Sequence, residues 1–215
     1  MNTLTSAPTA TVLDRLFEAA NWAENRLPTQ AFTRNLGEVS AAEKADALEN
    51  AYMPVSKDGC RLLYSLVRAI RPKTVVEFGT SYGISTIHLA AGVADNGVGH
   101  VWTTELNATK VAAARQNFED AGLAASVTLL PGDALETLAT VPGPIDLVLL
   151  DGWKDLYLPL LRLLEDRLAP GALVLADDSA FPTMADYLAY VRDPAHGYVT
   201  VEFPVEDGME ISCRA

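Results

Sequence analysis

Residues 74–92 read Thr-Val-Val-Glu-Phe-Gly-Thr-Ser-Tyr-Gly-Ile-Ser-Thr-Ile-His-Leu-Ala-Ala-Gly, and this stretch decides the fold. An apolar β-branched run, Val75-Val76, closes on an acid, Glu77, which marks a buried strand reaching a functional edge. Gly79 and Gly83 follow, and without a Cβ they let the backbone come close to a ligand. Ile84, Ile87 and Ala91 then recur at helical spacing, so a helix starts there with unpaired N–H groups at its head. The unit is strand, glycine turn, helix. A dinucleotide fold would carry G-x-G-x-x-G at this turn; the chain has E-x-G-x-x-x-G instead.

A carboxylate aimed at the site suits a ligand with cationic or hydroxyl-rich parts better than a pyrophosphate. S-adenosylmethionine, with its ammonium, sulfonium and ribose, is such a ligand. The competing reading is an ordinary βα turn whose glycines serve packing.

Working outward, residues 1–9 read as a frayed tail of Thr, Ser, Ala and Pro. From Thr11 an amphipathic helix carries Leu13, Leu16, Phe17, Ala20 and Leu27 along one stripe, and Pro28 stops it. A second helix over 40–52 opens with the capping box S-A-A-E. These helices form a lid, a substrate wall or a dimer contact, or else cover an exposed face of the sheet. The domain division is a tail and helices over 1–52 and a core over 53–215. A loop, Met53-Pro54-Val55-Ser56, leads into a helix through Cys60, Leu63, Val67 and Ile70, ended by Pro72.

Beyond the central stretch, a second strand over 100–104 ends at Glu105, where an α/β nucleotide site holds ribose hydroxyls; Glu105 also suits a plain helix entry. Asn107 caps the next helix, with Val111, Ala114 and Phe118 inward. A third strand over 127–130 runs into P-G-D-A, where Asp133 either accepts from an adenine amino group or caps a helix. The fourth strand, 145–150, is apolar but for Asp146 and meets Asp151-Gly152-Trp153-Lys154; the helix after it buries Leu156, Leu160, Leu163 and Leu164. The fifth strand, 172–176, ends on Asp177-Asp178. A helix over 184–191 and two β runs, 198–203 and 209–213, joined through an Asp-Gly hairpin signal, close the chain.

The 215 residues make one α/β domain with elaborations, and the formal charge of −12 weighs against polyanionic nucleic acid and anionic membrane surfaces as partners. Two cysteines, Cys60 and Cys213, fit a reduced, cytoplasmic setting. No signal peptide and no membrane span is read from the sequence.

Ligands of open parallel sheets bind at the carboxyl ends of strands. Five acids fall there: Glu77, Glu105, Asp151, Asp177 and Asp178. Converging carboxylates without a basic clamp are most simply neutralised by a divalent cation; all-oxygen ligation favours Mg²⁺, then Ca²⁺ or Mn²⁺. Against this, Asp178 and Asp151 also suit solvated turn caps. Lys154 opens a helix, where a cation opposes the dipole; beside a metal it would serve as a general base, and elsewhere it would be a surface lysine. Trp153 offers a face to an adenine or a substrate ring, or to the core. His88 and His196 receive no role.

Over about 53–208 the chain resembles the catechol and caffeoyl-CoA type of S-adenosylmethionine-dependent, cation-dependent O-methyltransferases. The resemblance rests on M-P-V-S-K-D-G, V-V-E-F-G-T-S-Y-G-I-S, T-T-E-L-N, L-D-G-W-K-D-L-Y-L-P and L-A-D-D. It implies a Rossmann-like class I methyltransferase: a seven-stranded, mostly parallel sheet with an antiparallel C-terminal hairpin and helices on both faces. It implies a cofactor site of Val55, Glu77, Gly79, Tyr82, Gly83, Ser85, Glu105, Leu106, Asp133, Ala134, Asp151 and Trp153. Asp151, Asp177 and Asp178 would hold the metal, Lys154 would be the base, and the acceptor would be a small vicinal dihydroxy aromatic.

Three departures from the family pattern stand out. Asp178 occupies a place usually taken by Asn, and Gly152 one taken by His in the catechol branch. The family's acid for the second acceptor hydroxyl has no matching motif position here, and Glu202 and Glu206 are the candidates. The alternatives are a metal-independent methyltransferase on the same fold and an NAD-dependent oxidoreductase, and a homodimer fits the two N-terminal helices.

Overall fold

The computed structural model describes residues 2–24 and 41–215. Seven strands form one sheet: β1 (Thr74–Phe78), β2 (His100–Glu105), β3 (Val127–Pro131), β4 (Ile145–Leu150), β5 (Leu168–Asp177), β6 (Tyr198–Phe203) and β7 (Met209–Arg214). Their order is β3-β2-β1-β4-β5-β7-β6, with β7 antiparallel to both of its neighbours. This is the expected mostly parallel sheet with an antiparallel C-terminal hairpin. The order reverses beside β1, and in such sheets the crevice at that reversal receives ligands.

Side-chain alternation along β1 divides the core in two. Val75 joins Leu147, Leu149 and Leu175 beneath α1 (Ala7–Glu24), α3 (Lys57–Ile70), α4 (Ile84–Asn96) and α5 (Ala108–Asp120). Val76 joins Val148, Leu150 and Val174 on the other face, under α7 (Tyr157–Leu164) and α8 (Ala185–Arg192). Helices therefore cover both faces. Apart from Glu77 and Asp146, the interiors of the central strands β1 and β4 are apolar on both sides because both sides are buried.

Several expectations change in the structure. Residues 2–9 are not frayed: Asn2 caps a short turn, α1 begins at Ala7, and Asp95 accepts from both the Thr3 amide and its hydroxyl. The hydroxyl of Thr9 donates to the Ala121 carbonyl, tying the segment to the end of α5. Leu27, Pro28 and the Ser40 capping box lie outside the described residues; the second helix, α2, is Ala41–Ala47. Ile70 sits at the end of α3 and is exposed. In α7 the buried set is Tyr157, Leu160, Leu161 and Leu164, since a 3-10 turn over Lys154–Leu156 rotates the stripe by part of a turn. β5 begins at Leu168, four residues earlier than its apolar run. The hairpin between β6 and β7 uses a five-residue loop, 204–208, rather than a two-residue Asp-Gly turn. Among the described residues no helix is long and apolar enough to cross a membrane.

Candidate active site

The turn after β1 is built around a buried carboxylate. Alternation aims Glu77 at the same face as Val75, under the first turn of α4. There Ser85 donates to Oε1 at 2.7 Å, Thr103 donates to Oε2 at 2.5 Å, and Thr86 also donates to Oε2. Burial pushes the Glu77 carboxyl up from its ordinary range, and the three hydroxyls pull it back. Gly79 adopts φ +102°, and a Cβ there would lie 2.3 Å from the Asp151 carbonyl oxygen. The ends of β1 and β4 are thereby in backbone contact, with the Asp151 amide donating to the Phe78 carbonyl.

Glu105 ends β2 with its carboxylate fixed by backbone. The Ser81 amide donates to Oε2 at 2.8 Å and the Asn107 amide to Oε1 at 2.9 Å. Each carboxylate oxygen keeps a further lone pair. Asp133 caps the short helix α6 (Ala134–Thr137) by accepting from the Leu135 amide, and it also lines the cavity described next.

One cavity of about 740 Å³ runs along these strand ends, within the size range of small-molecule sites. Gly79, Glu105, Leu106, Asp133, Ala134, Trp153 and Lys154 line it, with Asp151, Asp177 and Asp178 toward β4 and β5. Burial pushes the Asp177 carboxyl up to about 7, and the adjacent Asp178 charge adds to the rise. Burial also raises Asp151 well above its usual range, with Asp177 the leading charge. The Lys154 ammonium opposes these effects. It lies 2.8 Å from Asp178 Oδ2 and donates to the Tyr157 hydroxyl at 2.7 Å. Asp178 holds a left-handed backbone, φ +62°, which is strained for a side chain other than glycine. Among the described residues no three His, Cys, Asp or Glu side chains are grouped as ligands of one metal ion.

The structure brings ten of the expected residues to the cavity: Gly79, Glu105, Leu106, Asp133, Ala134, Asp151, Trp153, Lys154, Asp177 and Asp178. Glu77, Val55, Tyr82, Gly83 and Ser85 are outside its lining. Tyr82 stacks on Tyr52 at 4.0 Å and donates to the Glu49 carbonyl, while Gly83 caps α4 against Phe118. Of the two acids considered for an acceptor hydroxyl, Glu206 lines the cavity, where the Ser56 amide donates to it; Glu202 pairs with Arg192 elsewhere. A Cβ at Gly152 would come within 2.5 Å of the Phe78 ring, so that ring fills the space beside Gly152. Sequence reasoning missed Tyr52, Ser81, Thr104, Lys110 and Phe181 in the lining. For Lys110 a signal existed, because it stands in the first turn of α5 where a cation opposes the dipole.

This strand order, with its ligand-sized crevice over β1 and β4, is that of a class I methyltransferase. The SAH-bound methyltransferase PaMTH1 of Podospora anserina superposes with a TM-score of 0.71 at 23% identity, over 94% of this chain and 88% of that one. A methyltransferase domain model matches residues 76–179. Catechol O-methyltransferase of Sus scrofa is 32% identical over 147 residues, 65% of this chain and 78% of the pig protein. Catechol O-methyltransferase B of Danio rerio is 34% identical over 168 residues, covering 72% of this chain but only 62% of the zebrafish protein. The chain belongs to the catechol O-methyltransferase family.

Proposed function

We propose that the protein moves a methyl group from S-adenosylmethionine to a hydroxyl of a small vicinal dihydroxy aromatic. One observation carries this reading: a single cavity joins the fixed carboxylate of Glu105 to the Lys154, Asp151, Asp177 and Asp178 cluster. At one end Glu105 accepts the ribose hydroxyl protons, and Leu106, Ala134 and Trp153 enclose the adenine. Glu77, Val55, Tyr82, Gly83 and Ser85 act behind them by holding the loop in place.

At the other end Lys154, once its own proton has passed to solvent, accepts the proton of the reacting hydroxyl through its free amine, while Tyr157 orients that nitrogen. The oxygen then bonds to the methyl carbon as that carbon's bond to sulfur breaks, leaving the electron pair on sulfur. Holding the two reactants in line supplies much of the acceleration. Glu206 accepts from the second hydroxyl. Asp151, Asp177 and Asp178 are hard oxygen donors that suit Mg²⁺, Mn²⁺ or Ca²⁺ in kind, and the burial and the neighbouring Asp178 charge that push Asp177 up to about 7 are costs that a cation relieves. When bound there, the ion supplies a positive charge that favours the ionised hydroxyl. A metal-independent form of the same transfer is supported by one contact, the Lys154–Asp178 ion pair, which already neutralises one of the three acids.

Methyl-labelled S-adenosylmethionine, offered with vicinal dihydroxy and matched monohydroxy aromatics, tests the reading. Label on the dihydroxy compounds alone is the expected result. Bound S-adenosylhomocysteine without transfer to either set refutes the acceptor class, and no binding refutes the whole proposal.

A homodimer belongs to the same proposal, through the outer edge of β6 rather than α1, whose apolar stripe is spent on its own core. Val199, Val201 and Phe203 are 72%, 61% and 42% exposed along that edge. Antiparallel pairing of β6 with a second copy about Val201 sets Val199 against Phe203 and Thr200 against Glu202, so no like charges face each other. Light scattering should give twice the chain mass for the wild type and the single mass for Val201→Glu; a monomeric wild type refutes the edge.

A further inference from the structure

Lys110 is a buried cation that the mechanism above does not use. Its residue is 5% exposed, it stands in the first turn of α5, and it lines the cavity together with Glu105. Its ammonium nitrogen makes no hydrogen bond and no ion pair among the described residues; the nearest recorded contact is the Tyr82 ring, 5.7 Å away. Burial lowers its pKa, while Glu105 is the leading charge that raises it, followed by Asp151 and Glu49. Lysines of this kind are rarely enclosed without a partner, and a cation at N3 of a helix also works against the helix dipole. Its position costs stability twice over, and among the described residues only the Tyr82 ring and the more distant charges of Glu105, Asp151 and Glu49 offset that. The cavity is where a partner can enter.

From this arrangement we infer that Lys110 and Glu105 form a two-sided clamp for the ribose diol of the cofactor. The inference rests on the reading of this cavity as an S-adenosylmethionine site and adds a binding residue to it. A ribose hydroxyl is both donor and acceptor. Glu105, with both oxygens already oriented by the amides of Ser81 and Asn107, takes the hydroxyl protons. An ammonium offers three donors and no acceptor, so Lys110 donates to the hydroxyl oxygens. The pair therefore reads a vicinal diol by opposite halves of its hydrogen-bonding capacity. The ammonium nitrogen lies 5.7 Å over the Tyr82 ring, which is itself stacked on Tyr52.

Calorimetric titration tests the clamp with two ligands, S-adenosylhomocysteine and its 2′,3′-dideoxyribose analogue. Lys110→Met should weaken S-adenosylhomocysteine about tenfold, the scale of one charge-assisted hydrogen bond, and leave the dideoxy ligand unchanged. Lys110→Gln keeps an N–H donor and should fall between Lys110→Met and the wild type. Melting of the unliganded Lys110→Met protein should occur at or above the wild-type temperature, because an unpaired buried cation has been removed. Lys110→Met binding S-adenosylhomocysteine within twofold of wild type would overturn the clamp, as would equal losses for both ligands. Failure of the wild type to bind S-adenosylhomocysteine would instead overturn the cofactor reading, and the clamp with it.

Discussion

Replacing Gly79 with alanine tests how the site is held together. The added Cβ would lie 2.3 Å from the Asp151 carbonyl oxygen and 2.8 Å from its carbonyl carbon, against a comfortable carbon contact of roughly 3.5 Å. Relief requires a backbone shift of about 1 Å at the tip of β4, since a carbonyl in a strand end has no rotamer to change. The φ of +102° adds strain of about 1–3 kcal/mol, and overpacking contributes about 1–3 kcal/mol more. Alanine narrows the unfolded ensemble and returns about 0.4–1 kcal/mol, which leaves a net loss of about 3 kcal/mol. For a domain of this size that lowers Tm by roughly 6–12 °C.

Gly97→Ala is the control. Its φ is +65° and nothing lies within 4 Å of the added Cβ, so its cost is the left-handed term of roughly 1–2 kcal/mol less the same entropic return. Scanning calorimetry of both variants should show a shift for Gly97→Ala of less than about 4 °C. Methyl transfer by Gly79→Ala should fall about a hundredfold, because Asp151 moves with its carbonyl. A Gly79→Ala protein that melts within about 2 °C of wild type, or a Gly97→Ala protein damaged as severely, would refute the reasoning.

Other perturbations probe separate parts. Because the folded Glu77 carboxyl titrates above its unfolded value of 4.5, its contribution to stability is present at low pH and is lost as pH rises through the folded value. Tm measured against pH should therefore decline across that window in the wild type and be flatter in Glu77→Gln. Tyr157→Phe removes the hydroxyl that accepts from Lys154 and should lower kcat about tenfold with unchanged affinity for S-adenosylhomocysteine; equal loss in both would point to general disruption. Asp95→Ala frees the Thr3 amide and hydroxyl and should cost about 1–3 kcal/mol in denaturant unfolding while kcat stays at the wild-type value.

Most of the fold was legible because local signals and burial agreed. The E-x-G-x-x-x-G turn, the apolar runs of β1 and β4 and the acids closing each strand are fixed by neighbours in sequence. Glu77 shows where such reading stops. Its place at a strand end suggests a ligand-facing carboxylate, but the two-residue alternation that buries Val75 sends Glu77 to the same face, onto Ser85, Thr86 and Thr103. Those three hydroxyls come from α4 and β2, and only the folded packing brings them together. Lys110 is the converse case. Its sequence signal is confined to a cation in the first turn of a helix, and its burial follows from how α5 closes over the crevice. The ordered start of the chain was likewise invisible, since Asp95 is ninety-two positions from Thr3.

The most direct test of the central claim is the initial rate of methyl transfer from S-adenosylmethionine to catechol, measured with Mg²⁺ and with EDTA in wild type and in Lys154→Ala. The account predicts turnover with Mg²⁺, its abolition by EDTA, and a loss of at least about a hundredfold in Lys154→Ala. Wild-type turnover that EDTA leaves intact would contradict the role given to Asp151, Asp177 and Asp178 as metal ligands. Undiminished turnover by Lys154→Ala would contradict the assignment of the base.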